Sequence, residues 1–255
     1  MLRTLWVALV LVTTTIPCAT LTIILTAFPA AERLVNRVIR FWGRSLVWAA
    51  GIRLEAENLD LLDPKQRYIL VANHSSYLDI PCIFSAIPQP IRFMAKVSLF
   101  KIPLFGWALR RGGFIPIDRK NRSSAVKSFD LAGQRIRKGY TIVVFPEEGR
   151  SRERKMRPFQ RGGFLLALKS ELPIVPTAVK GTYDVMSAHT LRIKPGPVTV
   201  TLTPPIPTAE LSVRDRQALA GEARRRIQKI LFGDEAIEDP TSTAPETQQS
   251  PRPDR

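Results

Sequence analysis

The chain has 255 residues, 45% of them hydrophobic, enough for one sizeable core, and carries a formal net charge of +16. Six acids and two arginines lie from Asp234 onward, so the rest stands at +20 and favours a polyanion or an anionic membrane surface, with nucleic acid the rival that charge alone does not exclude. Cys18 and Cys82 are too few for a disulfide framework or a zinc cluster and are expected as small buried residues, and a histidine base can only be His74 or His189.

Thr4 to Ala31 contains no charged residue, and about 20 apolar residues suffice to span a bilayer. Pro17, close to Thr13, Thr14 and Thr15, leaves a kinked span or a shallow hairpin open. A cleaved signal peptide is a third reading, although its apolar core is usually only about 7–15 residues long. The next stretch is amphipathic at helical spacing. Leu34, Val35, Val38, Phe41, Trp42, Leu46 and Ala49 fall on one side, and Arg33, Arg37, Arg40 and Arg44 on the other. An ordinary core-packed helix fits this pattern too. Directly after a membrane-length segment, a helix lying in the membrane interface is the reading adopted, with the basic side in the cytoplasm, at the inner membrane if the source is bacterial.

From Leu54 short apolar runs alternate with helical stretches. Strands are expected at 67–73, 91–95, 114–118, 141–145, 174–179 and 198–202, and helices at 76–86, 123–138, 162–170 and 212–231, the last opening with a capping box at Ser212–Asp215. This alternation predicts an α/β fold: a mixed, mostly parallel sheet flanked by helices, with an N-terminal membrane-associated helical segment. Three regions follow: anchoring helices at 1–53, a catalytic domain at 54–233 and a disordered tail at 234–255.

Three motifs carry candidate chemistry. Asn73-His74-Ser75-Ser76-Tyr77-Leu78-Asp79 follows a strand. Moving an acyl group to an alcohol requires removing the alcohol's proton, which suits a neutral histidine whose other ring nitrogen meets a carboxylate. Five residues along one helix would separate the two side chains by about 140°, so His74 belongs in the strand-to-helix turn and Asp79 in the first helical turn. The motif also reads as a plain capping box with a turn histidine. Gly112-Gly113 then leads through a strand to Asp118-Arg119. Its glycines admit close ligand approach, and its arginine can fork onto a phosphate. A charged strand exit is the plainer reading. Phe145-Pro146-Glu147-Glu148-Gly149-Arg150-Ser151 puts carboxylates and an arginine at a strand end, where open α/β sheets place their sites. The basic run that follows reads as a solvated loop, leaving Glu147 and Arg150 as site candidates.

With the proline-flanked run Pro173–Pro176, these blocks resemble, in order and spacing, the glycerolipid acyltransferase family that includes the 1-acylglycerol-3-phosphate acyltransferases. The resemblance runs from Asn73 to about Val179. It implies His74 as general base paired with Asp79. Arg119 and Arg150 would contact the acceptor phosphate, Glu147 would position them or the acceptor, and Lys96 and Gly113 would lie at the acceptor site. It also implies acyl-CoA or acyl-carrier protein as co-substrate, with no cofactor, no metal and no covalent acyl-enzyme. Where the family has Gly-Thr, this chain has Glu148-Gly149.

The expected activity is acylation of 1-acylglycerol-3-phosphate to phosphatidic acid. The expected partners are membrane lipids, a lysophospholipid acceptor and the thioester donor, and not nucleic acid. Acylation of another lysophospholipid or a lyso-amino-lipid is the alternative within the class. A non-catalytic basic module binding membrane or nucleic acid is the alternative outside it.

Overall fold

The computed structural model describes residues 1–118, 122–151 and 153–234, the side chains of 122–126 excepted. The expected tail, after its first residue, lies outside the described residues.

The uncharged N-terminal run forms one unbroken helix, α1 (Leu2–Leu25), with Pro17 inside it. The Thr13 and Thr14 hydroxyls donate to the carbonyls of Leu9 and Val10 at 2.8 and 2.7 Å, local bonds that a helix tolerates. No hairpin forms at Pro17. The chain turns only after Leu25 and returns as α2 (Glu32–Ala50), which Gly51 ends in the left-handed conformation at φ 68°. The two helices pair antiparallel: Trp6 meets Trp48 edge-on at 5.9 Å, and the Trp42 indole donates to Thr15 Oγ1 at 2.9 Å.

α1 is long and apolar enough to cross a membrane, with mean hydropathy 2.1 and 22% of its most apolar window buried. α2 combines the two readings of its pattern. Val35, Leu46 and Ala49 are buried as in a core helix, while Leu34, Phe41 and Trp48 are 45%, 60% and 70% exposed. Spaced seven apart, these three form a second apolar stripe that the protein itself leaves uncovered.

The sheet has seven strands: β1 (Ile52–Glu57), β2 (Ile69–Ala72), β3 (Ile91–Lys96), β4 (Ile115–Ile117), β5 (Thr141–Val144), β6 (Ile174–Lys180) and β7 (Gly196–Leu202). Their order is β1-β7-β6-β2-β5-β3-β4. The five from β6 to β4 are parallel, β7 runs antiparallel to β6, and β1 is parallel to β7. The sheet is therefore mixed and mostly parallel, as the sequence indicates. β1 is an addition: three charges in Ile52-Arg-Leu-Glu-Ala-Glu57 hide a largely exposed edge strand.

The central strands are continuous apolar runs because both faces are covered. Leu70, Ala72 and Val143 pack on one side with Leu46, Cys82 and Ile83. Here α2 lies beside α3 (Asp79–Ala86). Ile69, Val71, Ile142 and Val144 pack on the other side, where α5 (Arg122–Arg137), α6 (Gly162–Ser170) and α8 (Arg216–Phe232) lie. The Ser212–Asp215 capping box is present and opens a 3-10 turn that runs into α8. Two short helices were not legible: α4 (Phe105–Arg111) and α7 (Thr182–Val185).

Arg92 of β3 ties these layers together. Only 1% exposed, its guanidinium donates to the Ile91 carbonyl and Asn36 Oδ1, each at 2.8 Å, and to the Gly112 carbonyl, and it stacks on Tyr140 at 4.1 Å. Burial lowers its pKa to about 10, so it keeps its charge at neutral pH. One satisfied buried cation thus joins α2, the sheet and the turn ahead of β4.

Candidate active site

Five adjacent parallel strands end on the same edge of the sheet, and most of the motif residues follow those ends. β2 leads into Asn73-His74, β5 into Phe145–Glu147, β6 into Gly181-Thr182, and β3 ends at Lys96. β2 lies between β5 and β6, so the His74 loop is flanked by the third motif on one side and the β6–α7 turn on the other.

His74 sits in the loop before α3, and Asp79 is the first residue of that helix. The helix begins there, and not at Ser76, because the backbone N–H groups of Ser75 and Ser76 turn inward to Asp79 Oδ2 at 2.8 and 2.9 Å. The same oxygen lies 2.7 Å from His74 Nδ1, and the Thr182 hydroxyl donates to Oδ1. Asp79 is fully buried and accepts four bonds. Since a carboxylate only accepts, Nδ1 carries the proton and Nε2 presents its lone pair. The imidazole also stacks on Phe145, with centroids 4.2 Å apart.

The histidine's main chain is held as firmly as its ring. Glu147 Oε1 accepts from His74 N at 2.7 Å, and Ser151 N donates to the His74 carbonyl at 2.7 Å. Asn73 behaves like a strand residue: its amide oxygen accepts from Val179 N at 2.7 Å, and its amide nitrogen donates to Val179 O at 2.9 Å. This pair of hydrogen bonds pins the end of β2 to β6.

The remaining candidates divide. Arg150 comes to the first motif, with its guanidinium 3.6 Å over the Tyr77 ring. Glu147 is only 2% exposed, and both its oxygens are taken by backbone, Oε2 accepting from Arg157 N at 2.8 Å. Through these two bonds it clamps the His74 loop to the segment at Arg157. Lys96 is exposed on the same edge but two strands away from β2. Gly113 precedes β4 and so lies at the opposite edge from His74. Its φ of 89° and the side chains of Arg92 and Arg135, each 3.4 Å from where a Cβ would stand, account for the glycine. Arg119 lies outside the described residues. Glu148 holds the position of the family's glycine and adopts φ 55°, a left-handed conformation that costs an L-residue about 1–2 kcal/mol.

Sequence reasoning missed Thr182. The signal was Gly181 directly after a strand: it needs φ 96°, and a Cβ there would stand 2.3 Å from the Pro197 carbonyl. That turn delivers the Thr182 hydroxyl to Asp79 and, at 3.0 Å, to Ser75 Oγ.

An apolar cavity of about 130 Å³ lies on the β3 side of the site, with Thr22, Trp42, Phe84, Phe93, Leu109 and Phe114 in its wall. Phe93 stacks on Phe145 at 5.5 Å, and Phe145 on His74, so two rings connect the imidazole to the cavity. Among the described residues no three His, Cys, Asp or Glu side chains gather as a metal site would require.

Two predictions follow from the clamps. Burial pushes Glu147 up from its ordinary 4.5 to about 7, against the pull of its two backbone N–H donors. The folded protein therefore keeps a proton that the unfolded chain has lost between those values, and this contribution to stability declines as pH rises through about 7. Melting of wild type between about pH 5 and 8 should show this decline, and Glu147→Gln should lack it. The amide must also turn its NH2 toward one backbone donor, at a cost of roughly 1–3 kcal/mol to the clamp. Identical pH slopes for the two proteins would reject the assignment. For Thr182, replacement by Val should lower kcat roughly tenfold with little change in KM, while Ser should restore most of it. Equal kcat in the Val and Ser variants would leave the hydroxyl without a part in positioning Asp79.

The protein-family model described as Acyltransferase matches residues 53–180. The 1-acyl-sn-glycerol-3-phosphate acyltransferase of Cocos nucifera is 34% identical over 76% of this chain and 63% of its own length. The alpha form from Homo sapiens is 31% identical over 76% of this chain and 69% of its own. The chain thus spans a little under two thirds of the relatives from Cocos nucifera and Limnanthes douglasii. The fold matches that of the 1-acyl-sn-glycerophosphate (LPA) acyltransferase PlsC from Thermotoga maritima, with TM-score 0.79 at 22% identity over 93% of this chain and 97% of that one. On the family model and the human relative together, this chain belongs to the acyltransferase family.

Proposed function

We propose that the chain transfers a fatty acyl group from a thioester donor, acyl-CoA or acyl-carrier protein, to the free hydroxyl of 1-acylglycerol-3-phosphate, giving phosphatidic acid. The observation that carries this reading is the His74–Asp79 contact of 2.7 Å at the end of β2. His74 Nε2 takes the acceptor's hydroxyl proton as the oxygen attacks the thioester carbonyl. Asp79 stabilises the imidazolium that forms. The tetrahedral intermediate collapses, the C–S bond breaks, and the thiolate leaves with the proton returned from His74. Arg150, together with Arg119, suits the acceptor phosphate, and the apolar cavity suits the acyl chain.

Incubating the purified full-length protein with acyl-CoA and a panel of lysolipids, followed by mass spectrometry, tests the reaction. Phosphatidic acid should form, and His74→Ala should lose about 100–10,000-fold in rate while remaining folded. No acylation of any lysolipid, or near-wild-type transfer by folded His74→Ala, would overturn the proposal. Because Glu148 adds an exposed carboxylate two residues from Arg150, the panel should include lysophosphatidylethanolamine and a lyso-amino-lipid.

The same proposal places the protein on the cytoplasmic face of a membrane, held by α1 and by the Leu34, Phe41 and Trp48 stripe. Apolar contact, unlike charge, survives salt, since the screening length is only about 3 Å at ~1 M. The protein should stay in the membrane fraction through a high-salt wash and leave it in detergent. Release by salt alone would rule out apolar anchoring.

A further inference from the structure

Tyr77 stands within the first motif, between buried Ser76 and buried Leu78. The turn explains its direction. The N–H groups of Ser75 and Ser76 face inward to Asp79, Leu78 packs into the core, and the Tyr77 ring is left 54% exposed. An exposed aromatic is ordinary by itself. What lies on it is less so: the guanidinium carbon of Arg150 is 3.6 Å from the ring centroid. That is a contact distance for two carbon atoms, so the guanidinium lies flat on the ring, since an edge-on approach would put a nitrogen between them.

Stacking and ion pairing leave an arginine in different states. A carboxylate partner offsets the charge of the guanidinium and occupies its fork of N–H donors. A ring face attracts the same charge through its quadrupole but takes none of the donors, which radiate from the rim. Arg154 is of the first kind, paired with Asp184. Arg150 is of the second. Among the described residues it enters no ion pair and no side-chain hydrogen bond, although Glu148 stands only two positions before it. The same two loops are also tied where Ser151 N donates to the His74 carbonyl at 2.7 Å. The stacked pair is thus a second bridge between the first and third motifs, placed on the outside with its donors free.

We propose that Tyr77 is a positioning residue for the acceptor: its ring holds the Arg150 guanidinium flat and charged, with the fork open to the acceptor's phosphate. The inference rests on the acyl-transfer reading and adds to it the group that sets the arginine's direction. A loose arginine has to be ordered when the anion arrives, which weakens binding, whereas a stacked one meets the anion in place. The contact is the same before and during the chemical step, so its loss shows in acceptor KM and not in kcat. Only the ring face is needed, and the phenolic hydroxyl has no part.

The test is steady-state kinetics of the full-length protein in detergent micelles, with lysophosphatidic acid and acyl-CoA varied separately, beside calorimetric titration with lysophosphatidic acid alone. Tyr77→Leu should raise acceptor KM and Kd about fivefold, the scale of a cation–π contact at an exposed site, with kcat, donor KM and the circular dichroism spectrum unchanged. Tyr77→Phe keeps the ring and should stay within about twofold of wild type. Arg150→Gln should raise acceptor KM on its own, and adding Tyr77→Leu to it should change nothing more, because the ring acts only through the arginine. The proposal is overturned if Tyr77→Leu leaves acceptor KM and Kd unchanged, if Tyr77→Phe loses as much, or if the two changes are additive. A fall in kcat at constant KM, which would tie Tyr77 to the histidine instead, overturns it too, as does a rise in donor KM. If wild type acylates no lysolipid, the calorimetry decides. Binding that Tyr77→Leu weakens and Tyr77→Phe retains would uphold the contact and reject the reaction, and no binding would reject both.

Discussion

An anion with no exposed surface needs donors for its lone pairs, because a charge buried unpaired costs far more than a folded domain can supply. Asp79 meets that requirement with the ring of His74, two backbone N–H groups of its own loop and the hydroxyl of Thr182. Each donor fixes something else in return. The backbone pair sets where α3 begins, the ring acquires one tautomer, and the hydroxyl joins the first motif to the segment beyond β6. Around this carboxylate a second layer holds the histidine's main chain through Glu147 and Ser151. His74 is thus oriented at its ring, its backbone nitrogen and its backbone carbonyl.

Strand direction makes that convergence possible. Five neighbouring strands run the same way, so residues far apart in sequence leave the sheet at one edge. The reversal at β7 lets the chain return past β6, and the close approach of Gly181 to Pro197 is where the two meet. On the other flank, buried Arg92 fastens α2 to β3 and to the turn before β4. α2, which helps wall the apolar cavity, is therefore anchored to the same sheet that carries the His74 loop.

Much of this was legible in the sequence because it depends on local pattern. The strands β2, β3, β5 and β6 are apolar runs of the right length, and the Asn-His motif with its aspartate five residues later announces a turn. What was not legible depends on tertiary closure. β1 alternates charges on an exposed edge and so resembles linker. Gly113 reads as a ligand contact, yet the arginines packed against it and its positive φ explain it. Glu147 reads as a site residue that positions the arginines or the acceptor because its motif stands at a strand end, but what it holds is backbone, and one of its two donors, His74 N, lies 73 residues earlier. Thr182 carries no motif of its own, and only the pairing of β2 with β6 brings it to Asp79.

Residue 148 shows what happens when local preference and surrounding architecture disagree. A glutamate occupies a backbone shape that suits glycine, and the turn keeps that shape because Glu147 and Ser151 fix the chain on both sides of it. The third motif is therefore specified by its path and not by its letters. The turn is also loaded like a bent spring: it holds a small store of strain next to the residues that grip the His74 main chain.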